Sequence, residues 1–402
     1  MKQANWPKFP VLFSLYIAQS VPMSFFSTVV PVIMRQENYS LESIGLLQLV
    51  KLPWILKFLW APLVDNNAST MRQYKRWIYL SEFFYALIIL HIGFFSLQTD
   101  FTLIVALMLI AFTASATQDI ATDAFAILLL KKNERSLGNS MQSAGSFIGT
   151  LLGSGVLLIV YYYLGWYYLL ICLALFVLIA LIPLRFVKLN EPKAQKEKPK
   201  VSLGDLISFF KVPGIPWWIL LLFFYYSGII GILAMLKPWL VDLGYTAKDI
   251  GFMAGIFGTA IAAVSAMGAG WFIKKAGKKI ALYSFLTLSL LAGVYFYFIS
   301  MQTPGIHLIY LGIFLLWSSY GMSTVAIYTS SMDLVRSGRE GTDFTLQIVI
   351  THLSGLIMAI LSGKVADGLG YTNLFLIEIM FSILAMILLT FSLKKVYKHH
   401  EY

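Results

Sequence analysis

The stretch Tyr39-Ser40-Leu41-Glu42-Ser43-Ile44-Gly45 returns as Tyr245-Thr246-Ala247-Lys248-Asp249-Ile250-Gly251, with the tyrosine, isoleucine and glycine kept. Two further matches hold the same distance: Gln142 returns as Gln347, and Leu164-Gly165-Trp166 as Leu369-Gly370-Tyr371. All share an offset of 205 or 206 residues, which predicts two copies of one unit.

The solvent of those units follows from composition. Hydrophobic residues make up 59% of the 402-residue chain and charged residues only 12%, with a mean hydropathy of +0.78. A soluble domain carries about 25% charged residues. Most of this chain therefore belongs in lipid. Twelve apolar stretches come close to the roughly 20 residues that cross a hydrocarbon core. They run over 9–33, 41–63, 77–97, 101–130, 138–162, 164–188, 214–240, 247–273, 280–300, 306–334, 343–368 and 370–395. Helices are expected, because a helix satisfies its own backbone in hydrocarbon and an open sheet does not. The prediction is an all-α integral membrane protein with twelve transmembrane helices in two pseudo-symmetric six-helix bundles, 1–188 and 214–402, joined by a cytoplasmic linker, 189–213.

Orientation follows the basic residues. With the N-terminus inside, 24 of the 30 Lys and Arg fall in cytoplasmic segments, and only Arg35, Lys237, Lys248 and Lys364 fall opposite. Both termini are expected in the cytoplasm. The net charge of +11 is spread over short loops, so it reads as topology and not as a nucleic-acid surface. The apolar run Val11–Ile33 exceeds a signal-peptide core and is expected to stay in the mature chain. Cys172 is the only cysteine, which leaves no disulfide or Cys-based metal site. No G-x-x-x-x-G-K-[ST], G-x-S-x-G or H-E-x-x-H occurs. No enzyme activity, cofactor, metal site or obligate protein partner is expected, and transport would draw on an ion or solute gradient.

The linker is rich in Lys, Glu and Pro, a composition that buries little apolar area. Ser202 and Asp205 resemble a capping pair ahead of Leu206, Ile207, Phe209 and Phe210, so a short surface helix and an unstructured tether are both open. Small residues recur every four positions at Gly145, Gly149 and Gly153, and again at Ala254, Gly258, Ala262, Ala266 and Gly270. Such ridges let helices approach closely in lipid, either as plain packing or as surfaces along which bundles slide.

Charges inside spans are expensive and mark function. Lys51 lies ten residues into the second span, about 15 Å deep, at the midplane. Lys57 is roughly 24 Å from the outer end, the depth that Asp119 reaches in the antiparallel fourth span, with Asp123 one turn on. Two carboxylates this close do not both ionise easily, so either Lys57 pairs with them or one holds a proton. His352 falls near the midplane of the eleventh span. Glu82 and Glu378 sit nearer span ends, where snorkelling or local pairing is expected. Gln19, Ser20, Ser24 and Thr28 make part of the first span polar. Trp317, Ser318, Ser319, Tyr320, Ser323 and Thr324 do the same for the tenth, and both stretches suit an amphipathic solute.

Twelve spans in two halves with a basic central linker resemble the major facilitator superfamily. Ile44-Gly45, the run Leu52-Pro53-Trp54 through Lys57-Phe58-Leu59-Trp60-Ala61-Pro62-Leu63 to Asp65, and Thr117-Gln118-Asp119-Ile120-Ala121-Thr122-Asp123-Ala124 are similar to its AmpG-like branch. That branch includes muropeptide permeases, acetyl-coenzyme A transporters and RhtX/FptX-type siderophore importers. Ala121–Ala126 followed by Leu137–Gln142 is more like the siderophore importers, while muropeptide permeases tend to carry a basic residue where this chain has Ala126. Asp65 matches the acid of the superfamily's gating loop, but Asn66-Asn67 replaces its Gly-Arg-rich continuation.

The resemblance implies an inner-membrane secondary transporter working by alternating access. It would import a small anionic or zwitterionic amphipathic solute of siderophore or muropeptide type, with a proton as co-substrate and lipid as its other partner. Lys51, Gln19, Trp54, Trp317, Tyr320 and His352 are the expected substrate contacts. Lys57, Asp119 and Asp123 form the expected proton-coupling or charge network. The alternative is a membrane receptor or scaffold that binds without translocating.

Overall fold

A computed structural model of the chain describes residues 8–37, 47–187 and 200–399, with the side chains of 36, 48 and 397–399 outside the description. Tyr39, Ile44, Gly45 and most of the linker lie outside the described residues. Helix accounts for nearly all of what is described. The elements are α1 (Lys8–Arg35), α2 (Leu52–Leu56), α3 (Ala61–Asn67), α4 (Met71–Ile92), α5 (Phe101–Leu129), α6 (Arg135–Arg185) and α7 (Leu203–Phe209). They continue as α8 (Ile215–Asp242), α9 (Ala247–Ala276), α10 (Lys278–Ser300), α11 (Ile306–Asp333) and α12 (Glu340–His399).

Eight of these helices are long and apolar enough to cross a membrane. At 51 residues, α6 would extend about 77 Å at 1.5 Å per residue, far more than one crossing needs. It is broken in two at Gly165 (φ 72°, ψ −179°), and α12 is broken in the same way at Gly370 (φ 80°, ψ 166°). That corner of backbone space is open essentially to glycine alone. These are the two glycines that the sequence repeat pairs. The broken halves add two spans, and Gln48–Asn67 with α4 brings the described residues to twelve.

The second span departs from the sequence reading. The apolar run predicts one continuous α-helix, but the span is built of a 3-10 turn (Gln48–Lys51), α2, a second 3-10 turn (Lys57–Leu59) and α3. Pro53 and Pro62 sit in the first turns of α2 and α3. Proline fits a helix start and interrupts the bonding that would run through it. In α1, Pro22 likewise precedes a π-helical turn at Phe25–Val29. Capping boxes at Thr70 with Gln73 and at Thr246 with Asp249 begin α4 and α9. At α7 the chain is helical, with Leu206 and Phe209 buried and Leu203 and Ile207 exposed.

The chain divides into two compact units, one of Met1–Leu203 with Val335–Thr345, the other of Gly204–Leu334 with Leu346–Tyr402. In the first, the glycine ridge of α6 is packed against α1 of the same unit. A Cβ on Gly149 would lie 2.7 Å from Ser20 Cβ, and one on Gly153 2.3 Å from the Val21 carbonyl oxygen. In the second, Gly321 of α11 meets Ala262 of α9 at similar range. Ridge and partner belong to one unit in both cases, so the plain packing reading accounts for them.

The core of the first unit has two apolar clusters. One gathers Val21, Phe25, Phe26, Tyr85, Ile89, Met108, Phe112 and Leu173. The other gathers Val11, Leu15, Tyr74, Ile78, Ile120, Phe125 and Leu184. Between them, along each helix, fall the buried polar residues Gln19 of α1, Glu82 of α4, and Ser115, Gln118 and Asp119 of α5. A polar layer thus separates two hydrophobic cores.

Candidate functional site

The centre of that layer is an ion pair. Lys57, in the short 3-10 turn after α2, bonds Asp119 of α5, and their side chains are 1% and 5% exposed. The ammonium also lies 4.8 Å from the centre of the Trp54 ring. Gln19 donates to the other oxygen of Asp119 at 3.0 Å. One turn along α5, Asp123 accepts from the Tyr16 hydroxyl, with the Gln142 amide 3.5 Å away. Of the two partners the sequence offered Lys57, the structure takes Asp119. Asp123 is held instead by hydroxyl and amide donors, so one carboxylate has the cation and the other has neutral supports.

Sequence reasoning missed Tyr16 and Gln142. Tyr16 stands three residues before Gln19, on the same face of α1, and that spacing was the available signal. Gln142 was visible only as a repeat match. Gln19, expected along a solute path, is instead buried in the charge cluster. Ser20 bonds Ser146 and Ser24 bonds the Thr150 carbonyl, so these two tie α1 to α6. Glu82 corrects another expectation: it is wholly buried at mid-helix and does not snorkel. Glu378 is also buried, and accepts from Ser362 at 2.8 Å.

Of the other candidates in the first unit, Trp54 lies beside the ion pair. Lys51 ends the 3-10 turn before α2, is partly buried, and has no ion-pair or hydrogen-bond partner among the described residues. In the second unit, Trp317 and Tyr320 of α11 form an aromatic group with Tyr226 of α8, with ring centres 6.1 and 5.9 Å from Tyr320. His352 is exposed on α12. Trp54 and Trp317 each bury an indole N–H that meets no acceptor among the described residues. A buried donor left open is costly unless something else fills it.

Asp65 closes the first unit at the end of α3. It accepts from the Tyr74 hydroxyl at 2.6 Å, from the Gly341 N–H at 3.0 Å, and from the Thr342 N–H and hydroxyl at 2.7 and 2.6 Å. The donors at 341 and 342 belong to the first turn of α12, where free backbone N–H groups attract an anion.

The chain resembles known proteins along most of its length. It is 24% identical over 392 residues to the anhydromuropeptide permease of Escherichia coli strain K12, covering 95% of this chain and 79% of that one. It is 22% identical over 407 residues to the transporter AmpG 4 of Rickettsia felis, covering 96% of each. Among solved structures, the major facilitator transporter FucP in its outward conformation has a TM-score of 0.75 at 15% identity, covering 96% of this chain and 98% of that one. A bacterial homologue of the iron transporter ferroportin scores 0.74 at 16% identity, covering 96% and 99%. At these identities the structures speak to the fold alone, and it is the fold built above. The model of the Major Facilitator Superfamily matches residues 12–357, and the chain belongs to that family.

Proposed function

We propose that this multi-pass membrane transporter is an inner-membrane importer of an anhydromuropeptide-type solute, driven by proton symport through alternating access, with both termini cytoplasmic. The cargo reading is carried by the full-length similarity to a protein named anhydromuropeptide permease. The siderophore-type alternative rests on Ala126 and the Leu137–Gln142 stretch, and comes second. Lys51 supports an anionic or zwitterionic cargo: it is a partly buried ammonium without a protein counter-ion among the described residues, and an incoming anion would supply one. The open indole N–H groups of Trp54 and Trp317 suit an amphipathic solute with acceptors of its own.

The test is uptake of a labelled anhydromuropeptide by proteoliposomes under an imposed proton gradient. Accumulation should collapse with a protonophore. Lys51→Met should abolish binding with its melting temperature unchanged, and Lys51→Arg should keep part of it. Binding without accumulation would favour a receptor. Accumulation that ignores the protonophore but follows a sodium gradient would remove the proton.

A further inference from the structure

Glu82 is the one acid in the polar layer to which the charge network gives no role. Neither carboxyl oxygen meets a hydrogen-bond donor among the described residues, and its exposure is 0%. It stands one turn before Tyr85 on the buried face of α4, a helix that packs along α5 and also against the second half of α6. On α5 the fully buried residues Ile104, Met108, Ala111, Ser115, Gln118 and Thr122 recur at three and four, so this buried stripe passes from apolar to polar halfway. The Gln118 amide and the Thr122 hydroxyl also lack partners, and Ser115 adjoins the Tyr85 hydroxyl.

Among the described residues, no neighbouring element offers Glu82 a counter-charge. Asp119 and Asp123 of α5 are engaged by Lys57 and Gln19 and by Tyr16 and Gln142. The second half of α6 has tyrosines, the exposed Cys172 and, at its end, Arg185. Asp65 of α3 is bonded by Tyr74. On α4 itself the charged groups are Arg72, Lys75 and Arg76 at one end, with His91 at the other. A carboxylate in such a place does not keep its charge; it takes up a proton.

We propose that Glu82 is a proton-binding site of the first unit, separate from the Lys57 cluster, and the group that carries the symported proton. The inference rests on the symport reading. The step balances simply: the carboxylate takes one proton from water on one side, is neutral while buried, and returns that proton on the other side. Asp119 suits the role less, because its proton would have to displace Lys57.

Two measurements on the full-length protein test this. Infrared difference spectra in lipid nanodiscs at neutral pH should show a protonated-carboxyl band that Glu82→Gln removes and Asp119→Asn keeps. Glu82→Asp should shift the band, and stands in if Glu82→Gln does not fold. If Glu82→Gln instead removes an ionised-carboxylate band, the proposal is overturned. In proteoliposomes, Glu82→Gln should lose gradient-driven accumulation of a labelled anhydromuropeptide while keeping counterflow exchange. Wild-type accumulation by the variant would make Glu82 a structural acid and overturn its coupling role. If wild-type protein moves no anhydromuropeptide, the cargo reading fails, and the infrared result still decides whether Glu82 holds a proton.

Discussion

The two repeats share a frame and differ in chemistry. In the first, α5 begins at Phe101, α6 at Arg135, and the chain turns at Gly165; in the second, α11 begins at Ile306, α12 at Glu340, and the chain turns at Gly370. Each of these pairs is 205 residues apart. At the same offset Asp119 becomes Thr324, Asp123 becomes Tyr328, and Lys57 becomes Ala262. Gln142 supports a carboxylate, while Gln347 accepts from Trp218 at 2.8 Å and donates to the Ser331 carbonyl at 3.2 Å. Backbone geometry was duplicated and kept, whereas the Lys57–Asp119 pair and its neighbour Asp123 belong to the first copy alone. A duplicated fold therefore predicts where helices turn, and says little about where protons or ions bind.

The sharpest way to break this contrast is to remove the charge that only one repeat has. Lys57→Ala leaves Asp119 buried and unpaired, a loss of about 3–5 kcal/mol. Its melting temperature in detergent should fall well below that of the wild type, with partial rescue by Asp119→Asn. No rescue would mean that the pair is not the source of the loss. Next comes Tyr16→Phe, which takes a neutral donor from Asp123 and should cost about 1.5–3 kcal/mol, the range for hydrogen bonds to charged groups. Asp123→Asn in the same background should recover part of that.

The shared frame makes the complementary prediction. Gly165→Ala and Gly370→Ala should each cost about 1–3 kcal/mol, and by similar amounts, because both positions demand glycine-only backbone. Unequal losses would show that the two turns are not mechanically equivalent. The smallest effect should come from the loop before α6, where Glu134 accepts from Lys8 Nζ and the Lys131 N–H, each at 3.0 Å. Burial pushes its carboxyl up, but those bonds outweigh it and hold the group below its ordinary range. Its stabilisation is then present above the unfolded-state value and lost as pH falls through the folded one. Glu134→Gln should lower the melting temperature slightly near neutral pH, and melts in acid should converge with the wild type.

The sequence was legible where a rule has one outcome. Long apolar runs become helices in lipid, and the Leu-Gly-aromatic matches marked both turns. Matched depth brought Lys57 to Asp119 because each is too costly to bury alone. It was less legible where polarity hides in aromatic or small residues. Tyr16 looks like one more apolar ring until Asp123 is beside it. Depth counting failed for Glu82, whose neighbours Phe83 and Phe84 are exposed while it points inward. It also carried Lys51 and Lys57 through a helix that Pro53 and Pro62 interrupt, a warning present in the residues themselves.

The broken second span has a consequence for biogenesis. A translocon weighs each segment as it emerges, and a lysine at a helix centre counts against insertion by about 2.5–3.5 kcal/mol. Lys51 and Lys57 both sit in this segment, which is also cut into short helical pieces. The carboxylate that neutralises Lys57 is Asp119, 62 residues further along the chain. A ribosome must therefore deliver most of α5 before the second span has its native partner. Until then that span has to wait beside the insertion machinery or be held by α1, and nascent chains ending before Asp119 should cross-link to the translocon longer than those ending after it.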